Sequence, residues 1–288
     1  MDTTACVEEP DSRGLLFAVF GDPIGHSRSP AMHSAAFRAL GLPHRYVPAH
    51  VPAERLAEAV RRAAMSGYGG VNLTVPHKQA VMALCDEIGP EARRIGAVNT
   101  LVFPGGRIVG HNTDGRGFAA AVRQLSTEPV QEAMVLGSGG AARAVVDAIA
   151  GELLGPLGHV RWVSRDPGAL AGGLPAGGPL VAAEWGEVGC GPPVDLLVNC
   201  TTVGMAHGPR EFPVPAERLV AGLAARARVV DIVYPRPAGG LLDLAAAAGA
   251  AVQDGLEMLL WQGVFAQELW LGRSLGPDVV AAMRAGLR

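Results

Sequence analysis

The segment "VNLTVPHK", Val71 to Lys78, carries a strand-like alternation into Pro76 and then presents an amine. Val71, Leu73 and Val75 have the β-branched and apolar pattern of a strand, and Pro76 suits the first position of a helix. The spacing predicts Lys78 in the first turn of that helix, where the dipole disfavours an ammonium ion. Something must compensate. Further on, "HNTDG", His111 to Gly115, offers Asp114, well suited to N-cap a helix beginning at Gly115. Taken singly, Lys78 reads as a surface lysine and Asp114 as a cap.

A third segment changes that weighing. "VLGSGGAAR" has Gly137, Gly139 and Ala142 at G-x-G-x-x-A spacing, directly after a strand pattern and opening a helical one. Gly137 permits the tight turn, Gly139 lets backbone N–H groups approach a pyrophosphate, and Ala142 lets helix and strand pack closely. A dinucleotide is therefore the expected ligand of this turn. The next strand ends in "VSRDP". Ser164 and Arg165 suit the 2′-phosphate of NADP, whereas Asp166, one residue on, leaves NAD open. In "GHSRSP", Ser27 and Ser29 are two apart, a spacing that points both hydroxyls to one side of an extended segment, where they suit a carboxylate. The alternative is that Ser29 only caps the helix that follows. His26 and His77 are given no chemistry, because an isolated histidine is more often structural or solvated.

Composition bounds what such chemistry serves. At 288 residues the chain exceeds the usual single core, so two domains are expected. Hydrophobic residues at 49% and charged residues at 18% describe a core-forming protein. A net charge of −3 provides no basic field for nucleic acid or an anionic membrane, which favours a small-molecule substrate. Cys6, Cys85, Cys190 and Cys200 are scattered without metal-ligand spacing, so neither a disulfide framework nor a metal site is expected and a reducing cytoplasm is. The acidic N-terminus lacks an apolar run and reads as a short frayed tail. Monomer and homodimer both remain open.

The elements that must position these residues follow from periodicity. "LLFAVFG" and "HRYVPA" read as strands, and "SPAMHSAAFRALG" as a helix with Ser29 as N-cap, Pro30 at its first position and Gly41 as its stop. "PAERLAEAVRRAAMSG" has amphipathic helix spacing. "VNTLVF" and "RIVGHNTD", joined by "PGGR", read as a hairpin. "GRGFAAAVRQL" reads as a helix that opens a second unit. The runs "EAMVL", "HVRWVSR", "VDLLVNCT" and "RVVDIVY" are apolar almost throughout, the mark of a parallel sheet covered on both faces. The Ala/Gly/Pro-rich stretch from Gly168 to Pro193 is expected to hold short helical pieces and loop. "GLEMLLWQGVFAQELWLG" reads as a long helix after Gly255, with Met258 and Gln262 four apart on one face. Asn199 and Tyr234 end parallel strands, where open α/β sheets place their ligand crevice.

The segments "GDPIGHSRSP", "VNLTVPHK", "GAVNTL", "HNTDG", "GSGGAAR", "NCTTVGM" and "DGLEMLLWQ" occur here in the order and approximate spacing of the shikimate dehydrogenase family, which this chain resembles from about Phe17 to its C-terminal helices. The resemblance implies an α/β protein with a three-layer N-terminal substrate domain, residues 1–113. It implies a Rossmann-type doubly wound NADP-binding domain, 114–252, and C-terminal helices, 253–288, returning to the first domain. It implies reversible NADP-linked conversion of shikimate and 3-dehydroshikimate on the route to aromatic amino acids. Carried over by position, Lys78 and Asp114 form the catalytic pair. Ser27 and Ser29 bind the substrate carboxylate, and Thr74, Asn99, Asp114 and Gln262 the ring hydroxyls, with Tyr234 also facing substrate. Gly137, Ser138, Gly139, Gly140, Ala141, Ser164, Arg165, Asn199, Thr201, Gly255 and Met258 fall to the cofactor. Ser164 departs from the family's usual asparagine, which weakens the NADP expectation. The alternatives are an NAD-using quinate/shikimate or aminoshikimate-type dehydrogenase, and a catalytically silent NADPH-binding protein.

Overall fold

In the first strand, β1 (Leu16–Gly21), alternate side chains go to opposite layers. Leu16, Ala18 and Phe20 join one apolar cluster, and Phe17 and Val19 join another. That is the sequence pattern of a sheet covered on both faces. The computed structural model describes residues 14–171, 178–205, 208–234 and 238–288, so the expected N-terminal tail and Cys6 lie outside the described residues.

The chain continues through α1 (Ser29–Ala39), β2 (Arg45–His50), α2 (Leu56–Met65), β3 (Gly70–Leu73), α3 (His77–Ala80), β4 (Glu87–Ile88), α4 (Pro90–Ile95), β5 (Thr100–Val102) and β6 (Val109–His111). These strands form a mixed sheet of order β2-β1-β3-β5-β6-β4, in which β5 runs antiparallel to both β3 and β6. The hairpin read from "PGGR" is therefore present. One face is covered by α2, through Leu56, Ala59, Val60 and Ala63. On the other, Phe17 meets Phe37 of α1 at 5.1 Å and Trp270 at 5.0 Å between ring centroids.

Then follow α5 (Asp114–Leu125), β7 (Val130–Leu136), α6 (Gly140–Ala148), β8 (Leu154–Ser164), α7 (Pro167–Ala171), β9 (Leu180–Glu184), β10 (Val194–Asn199), α8 (Ala216–Ala221), β11 (Leu223–Asp231), α9 (Leu241–Ala247) and β12 (Ala251–Gln253). The second sheet has the order β12-β11-β10-β7-β8-β9 with every pairing parallel. Starting from β7 and numbering its strands in chain order, this is the doubly wound 3-2-1-4-5-6 arrangement, read from the other edge. Its core holds Leu136, Val163, Leu197 and Val229 against Leu241, Leu242 and Ala245 of α9. Finally α10 (Gly255–Leu271) and α11 (Pro277–Ala285) place Leu260, Val264 and Met283 against Met32 and Ala36 of α1. Two compact units result, one of the described residues up to Gly117 with Leu259–Arg288, the other Phe118–Met258.

Four local expectations need correction. Ser29 is the first residue of α1 and does not cap it, because Arg28 holds the cap position without a side-chain bond. Pro76 follows a cis peptide and occupies the cap position of α3, so the strand ends at Leu73 and the helix has only four residues. Asp114 begins α5 itself, with the Asn112 side-chain oxygen accepting its N–H at 2.9 Å. The stretch read as helical pieces and loop contains β9, an edge strand with only Ala183 buried, and so too little alternation to register in sequence.

His33 of α1 is fully buried, stacked on Tyr46 at 4.2 Å, and neither ring nitrogen has a hydrogen-bond partner among the described residues. Burial pushes its imidazole down to about 3. A folded-state value below the unfolded one gives stability that is present above the unfolded value of 6.5 and is lost as pH falls. Urea titrations of the wild type and His33→Phe should therefore diverge below pH 6.5, the wild type losing about 1.4 kcal/mol more per pH unit. A gap between the two proteins that stays constant from pH 7.5 to pH 5 would refute this role.

Candidate active site

In the first unit the loops that leave β1 and β3 are tied together, the Asp22 N–H donating to the Val75 carbonyl at 3.0 Å. Both loops lie at the C-terminal ends of parallel strands, where α/β sheets hold their ligands. The β1 loop carries Ser27 and Ser29. The Ser29 N–H donates to Ser27 Oγ at 3.3 Å, which places the half-buried Ser27 hydroxyl at the start of α1. The β3 loop carries Thr74, whose N–H donates to the Phe20 carbonyl at 2.9 Å. Lys78 follows in α3, and its own carbonyl accepts the Val98 N–H at 2.8 Å.

Asn99 stands just before β5, its carbonyl accepting the Leu73 N–H at 2.8 Å. From there the side chains converge. Lys78 Nζ lies 2.6 Å from Asp114 Oδ2, and Asn99 Nδ2 donates to Asp114 Oδ1 at 2.8 Å. The pair is largely withdrawn from water, with side-chain exposures of 16% and 5%. Because α3 is one turn long, little helix dipole opposes the ammonium, and Asp114 supplies the counter-charge that the sequence required. Thr113 adds its N–H to Asn99 Oδ1 at 2.8 Å. Gln262 brings Oε1 to 3.5 Å from Asn99 Nδ2, while its own Nε2 turns back to the Leu259 carbonyl at 2.7 Å.

Gly117, which sequence reading passed over, lets α5 approach α10: a Cβ there would lie 2.6 Å from the Gln262 nitrogen. The signal was a glycine inside a helix, which costs about 1 kcal/mol against alanine unless packing requires it. His77 is buried with Nε2 2.7 Å from the Val51 carbonyl, and burial lowers its imidazole. Among the described residues no group of three or more acidic, histidine or cysteine side chains could hold a metal ion.

The second unit places its glycine turn between β7 and α6. Gly137 has φ +109°, and a Cβ on it would lie 2.9 Å from the Cys200 carbonyl oxygen, so only glycine fits. At Gly139 a Cβ would meet nothing within 4 Å, which leaves open the face that a pyrophosphate must approach. Ser138 and Gly139 are exposed, while Gly140 and Ala141 begin α6 half-buried. The turn thus fits a dinucleotide, whose phosphates the N–H groups at the start of α6 would hold. Beside it Arg143, also missed in a motif read for its glycines, sits 6.0 Å from the centre of the Trp162 ring.

At the end of β8 the Asp166 N–H donates to buried Ser164 Oγ at 3.1 Å, and Asp166 Oδ1 accepts the Ala169 N–H at 3.1 Å. Asp166 thereby serves as a cap for α7, and Arg165 is left exposed. Asn199 is fully buried at the end of β10. Its Oδ1 accepts from Thr201 N at 3.0 Å and Thr201 Oγ1 at 2.7 Å, and its Nδ2 donates to Asp231 Oδ1 at 2.9 Å. Those bonds make its side chain a support for the loop after β10. Tyr234, half-buried, lies just beyond β11; Gly255 opens α10 and Met258 is buried one turn along.

A doubly wound sheet with an open glycine turn in one unit, and a buried lysine–carboxylate pair in the other, define a dinucleotide-binding α/β protein of the dehydrogenase type. Comparison with known proteins narrows the class. A family model described as the shikimate dehydrogenase substrate binding domain matches residues 19–101. Shikimate dehydrogenase (NADP(+)) of Methanopyrus kandleri is 40% identical over 284 residues, covering 94% of each chain. That of Rubrobacter xylanophilus is 41% identical over 283 residues, covering 96% of each. The crystal structure of shikimate 5-dehydrogenase from Thermus thermophilus in complex with NADP(H) and shikimate is 39% identical, with a TM-score of 0.79, covering 94% of this chain and 99% of that one. The chain belongs to the shikimate dehydrogenase family.

Asp231 offers a test of the support beneath the cofactor loop. Burial pushes its carboxyl up to about 6, with the charge of Asp254 adding to the rise and the N–H donors of Val233 and Asn199 opposing it. A folded-state value above the unfolded 3.8 means that stability contributed by this group is full below 3.8 and is lost as pH rises through 6. Asp231→Asn should be more stable than the wild type at pH 7.5, with the advantage shrinking by about 3 kcal/mol as the pH is lowered to 4. A pH-independent difference in denaturant unfolding would contradict it.

Proposed function

We propose that this protein is an NADP-dependent shikimate dehydrogenase, reversibly reducing 3-dehydroshikimate to shikimate in the chorismate route to aromatic amino acids. The observation that carries the reading is the Lys78–Asp114 pair at 2.6 Å, with Asn99 on the second carboxylate oxygen. Bound NADPH supplies the hydride in reduction, and bound NADP⁺ accepts it in oxidation. As a ketone is reduced, charge develops on its oxygen; the Lys78 ammonium stabilises that charge and passes a proton to it. In the reverse direction neutral Lys78 takes the hydroxyl proton. Asp114 holds both the amine and a ring hydroxyl in register, while Asn99, Thr74 and Gln262 orient the ring. Ser27 and Ser29 hold the substrate carboxylate at the start of α1.

The choice of NADP is supported by exposed Arg165, and by Asp166, whose Oδ1 is engaged at the start of α7. This weakens the NAD-using alternative. Cys85 and Cys190 stand outside any disulfide among the described residues, which suits a cytoplasmic setting. The two serines favour shikimate over quinate.

Initial rates with shikimate or quinate, each with NADP⁺ or NAD⁺, test the reading directly, and the shikimate–NADP⁺ combination should dominate. Lys78→Ala should lower kcat by about 10²- to 10⁴-fold with KM for shikimate little changed. Full turnover by that variant at saturating shikimate would disprove the mechanism. Arg165→Ala should raise KM for NADP⁺ roughly tenfold or more while leaving that for NAD⁺ unaltered; equal changes for both cofactors would disprove the 2′-phosphate assignment.

A further inference from the structure

Behind the Lys78–Asp114 pair runs a chain of hydrogen bonds that touches no reacting group except at its end. The Tyr46 hydroxyl donates to Asn72 Oδ1 at 2.8 Å. Asn72 Nδ2 donates to Thr100 Oγ1 at 3.0 Å and to the Asn99 carbonyl at 3.2 Å. Thr100 Oγ1 donates to Asn99 Oδ1 at 2.9 Å, and Asn99 Nδ2 donates to Asp114 Oδ1 at 2.8 Å. All five residues are buried, Thr100 completely.

The direction of each bond follows from the groups themselves. The Asn99 carbonyl can only accept and the Thr113 N–H can only donate, so the Asn72 nitrogen faces the first, the Asn99 side-chain oxygen faces the second, and the Asn72 oxygen is left to accept from Tyr46 OH. The Asn72 nitrogen then donates to Thr100, which leaves the single Thr100 hydroxyl hydrogen for Asn99 Oδ1. With its oxygen held by Thr113 N at 2.8 Å and Thr100 Oγ1 at 2.9 Å, and the Thr113 hydroxyl more distant at 3.3 Å, the Asn99 carboxamide keeps its nitrogen on Asp114. Reversed, it would set an acceptor oxygen against a carboxylate oxygen. We propose that Thr100 is a positioning residue for the Lys78–Asp114 pair, acting through the Asn99 carboxamide.

The register explains why a threonine reaches this place. Thr100 opens β5 opposite Asn72 of β3 in an antiparallel pairing, so the two side chains meet on one face of the sheet. The preceding residue, Asn99, turns its side chain to the other use. Valine keeps the branched shape of threonine with a methyl in place of its hydroxyl, so Thr100→Val removes the bond to Asn99 Oδ1 together with the one accepted from Asn72 Nδ2, which keeps its bond to the Asn99 carbonyl.

The inference rests on the dehydrogenase reading, and its test is chosen to separate the two. Wild type, Thr100→Val and Thr100→Ser would be compared for shikimate oxidation with NADP⁺, and for hydrogen exchange of the Asn99 side-chain amide by NMR. Thr100→Val should lower kcat about tenfold with KM for shikimate within about twofold, and Thr100→Ser should restore kcat. Exchange at the Asn99 amide should quicken in the valine variant and return to the wild-type rate in the serine variant. In an Asn99→Ala background, adding Thr100→Val should change kcat by less than about twofold, because the threonine acts only through that carboxamide. Should Thr100→Val not fold, Tyr46→Phe at the far end of the chain carries the same readouts, with a smaller change in the same direction.

Wild-type kcat and wild-type amide exchange in the valine variant would overturn the inference. So would equal losses of kcat, KM and thermal stability that serine does not repair, or losses that add in full to those of Asn99→Ala. A wild-type protein inactive on shikimate would overturn the functional reading instead, and the amide exchange would still decide the role of Thr100.

Discussion

A carboxylate almost sealed from water cannot persist without partners, and the first unit is built around one. Asp114 has two oxygens and each is occupied, one by the Lys78 ammonium and the other by the Asn99 amide. Removing Lys78 would leave a buried charge uncompensated, which costs about 3–5 kcal/mol when a buried ion pair is broken, and removing Asn99 would leave the second oxygen without its hydrogen bond. The partners are fixed by backbone, since Lys78 and Asn99 each accept a main-chain N–H from the facing segment. The loop after β3, the start of β5 and the start of α5 are therefore one rigid assembly. Its own hydrogen bonds set where α5 begins, through Asn112, which accepts the Asp114 N–H and donates to the Ala97 carbonyl at 2.9 Å.

In the second unit a different constraint governs, the tight passage of backbone at Gly137 under the Cys200 carbonyl. The β7 turn and the loop after β10 meet there, and Asn199 and Asp231 hold that loop from below. Glycines make the turn but say little about which dinucleotide is chosen. That choice depends on what the residues after β8 are already doing. With Asp166 capping α7 and Ser164 Oγ accepting the Asp166 N–H, a guanidinium is the group left facing outward. Specificity is set here by one side chain's commitment to local structure as much as by its neighbour's charge.

How much of this could be read from sequence varies with the range of the interaction. The all-parallel second sheet was legible because its central strands are continuously apolar, and the hairpin β5–β6 because its turn has glycines at positive φ. The edge strands β9 and β12 escaped because neither buries enough side chains to impose a period. Lys78 and Asp114 were identified individually and joined by family resemblance; their 2.6 Å approach depends on strand register, which no window of sequence contains. The caps misled for a related reason. Ser29 and Asp114 are good capping residues by type, but Arg28 and Asn112 reach those places first. The roles of Thr100, Asn72 and Gly117 carry no local signature, since each is defined by a partner remote in sequence.

The neighbourhood of Lys78 also decides which group can carry a proton. His77 precedes it in sequence and is the more familiar acid–base residue. Its ring is buried, one nitrogen is bound to the Val51 carbonyl, and burial lowers its affinity for a second proton. On the other side of Asp114 the neutral Asn99 amide holds the carboxylate, and Thr113 in turn accepts from that amide, neither offering a proton of useful acidity. An ammonium on a flexible stem, largely withdrawn from water and tethered by a single carboxylate oxygen, is the one cationic donor in that set. Neutral donors also spare the site the cost of desolvating a further charge, so the ion pair can be held rigidly while only one of its members exchanges a proton. On the proposed mechanism the chemistry falls to Lys78 because Asp114 is its counter-ion while Asn99 and His77 are each committed to fixed hydrogen bonds.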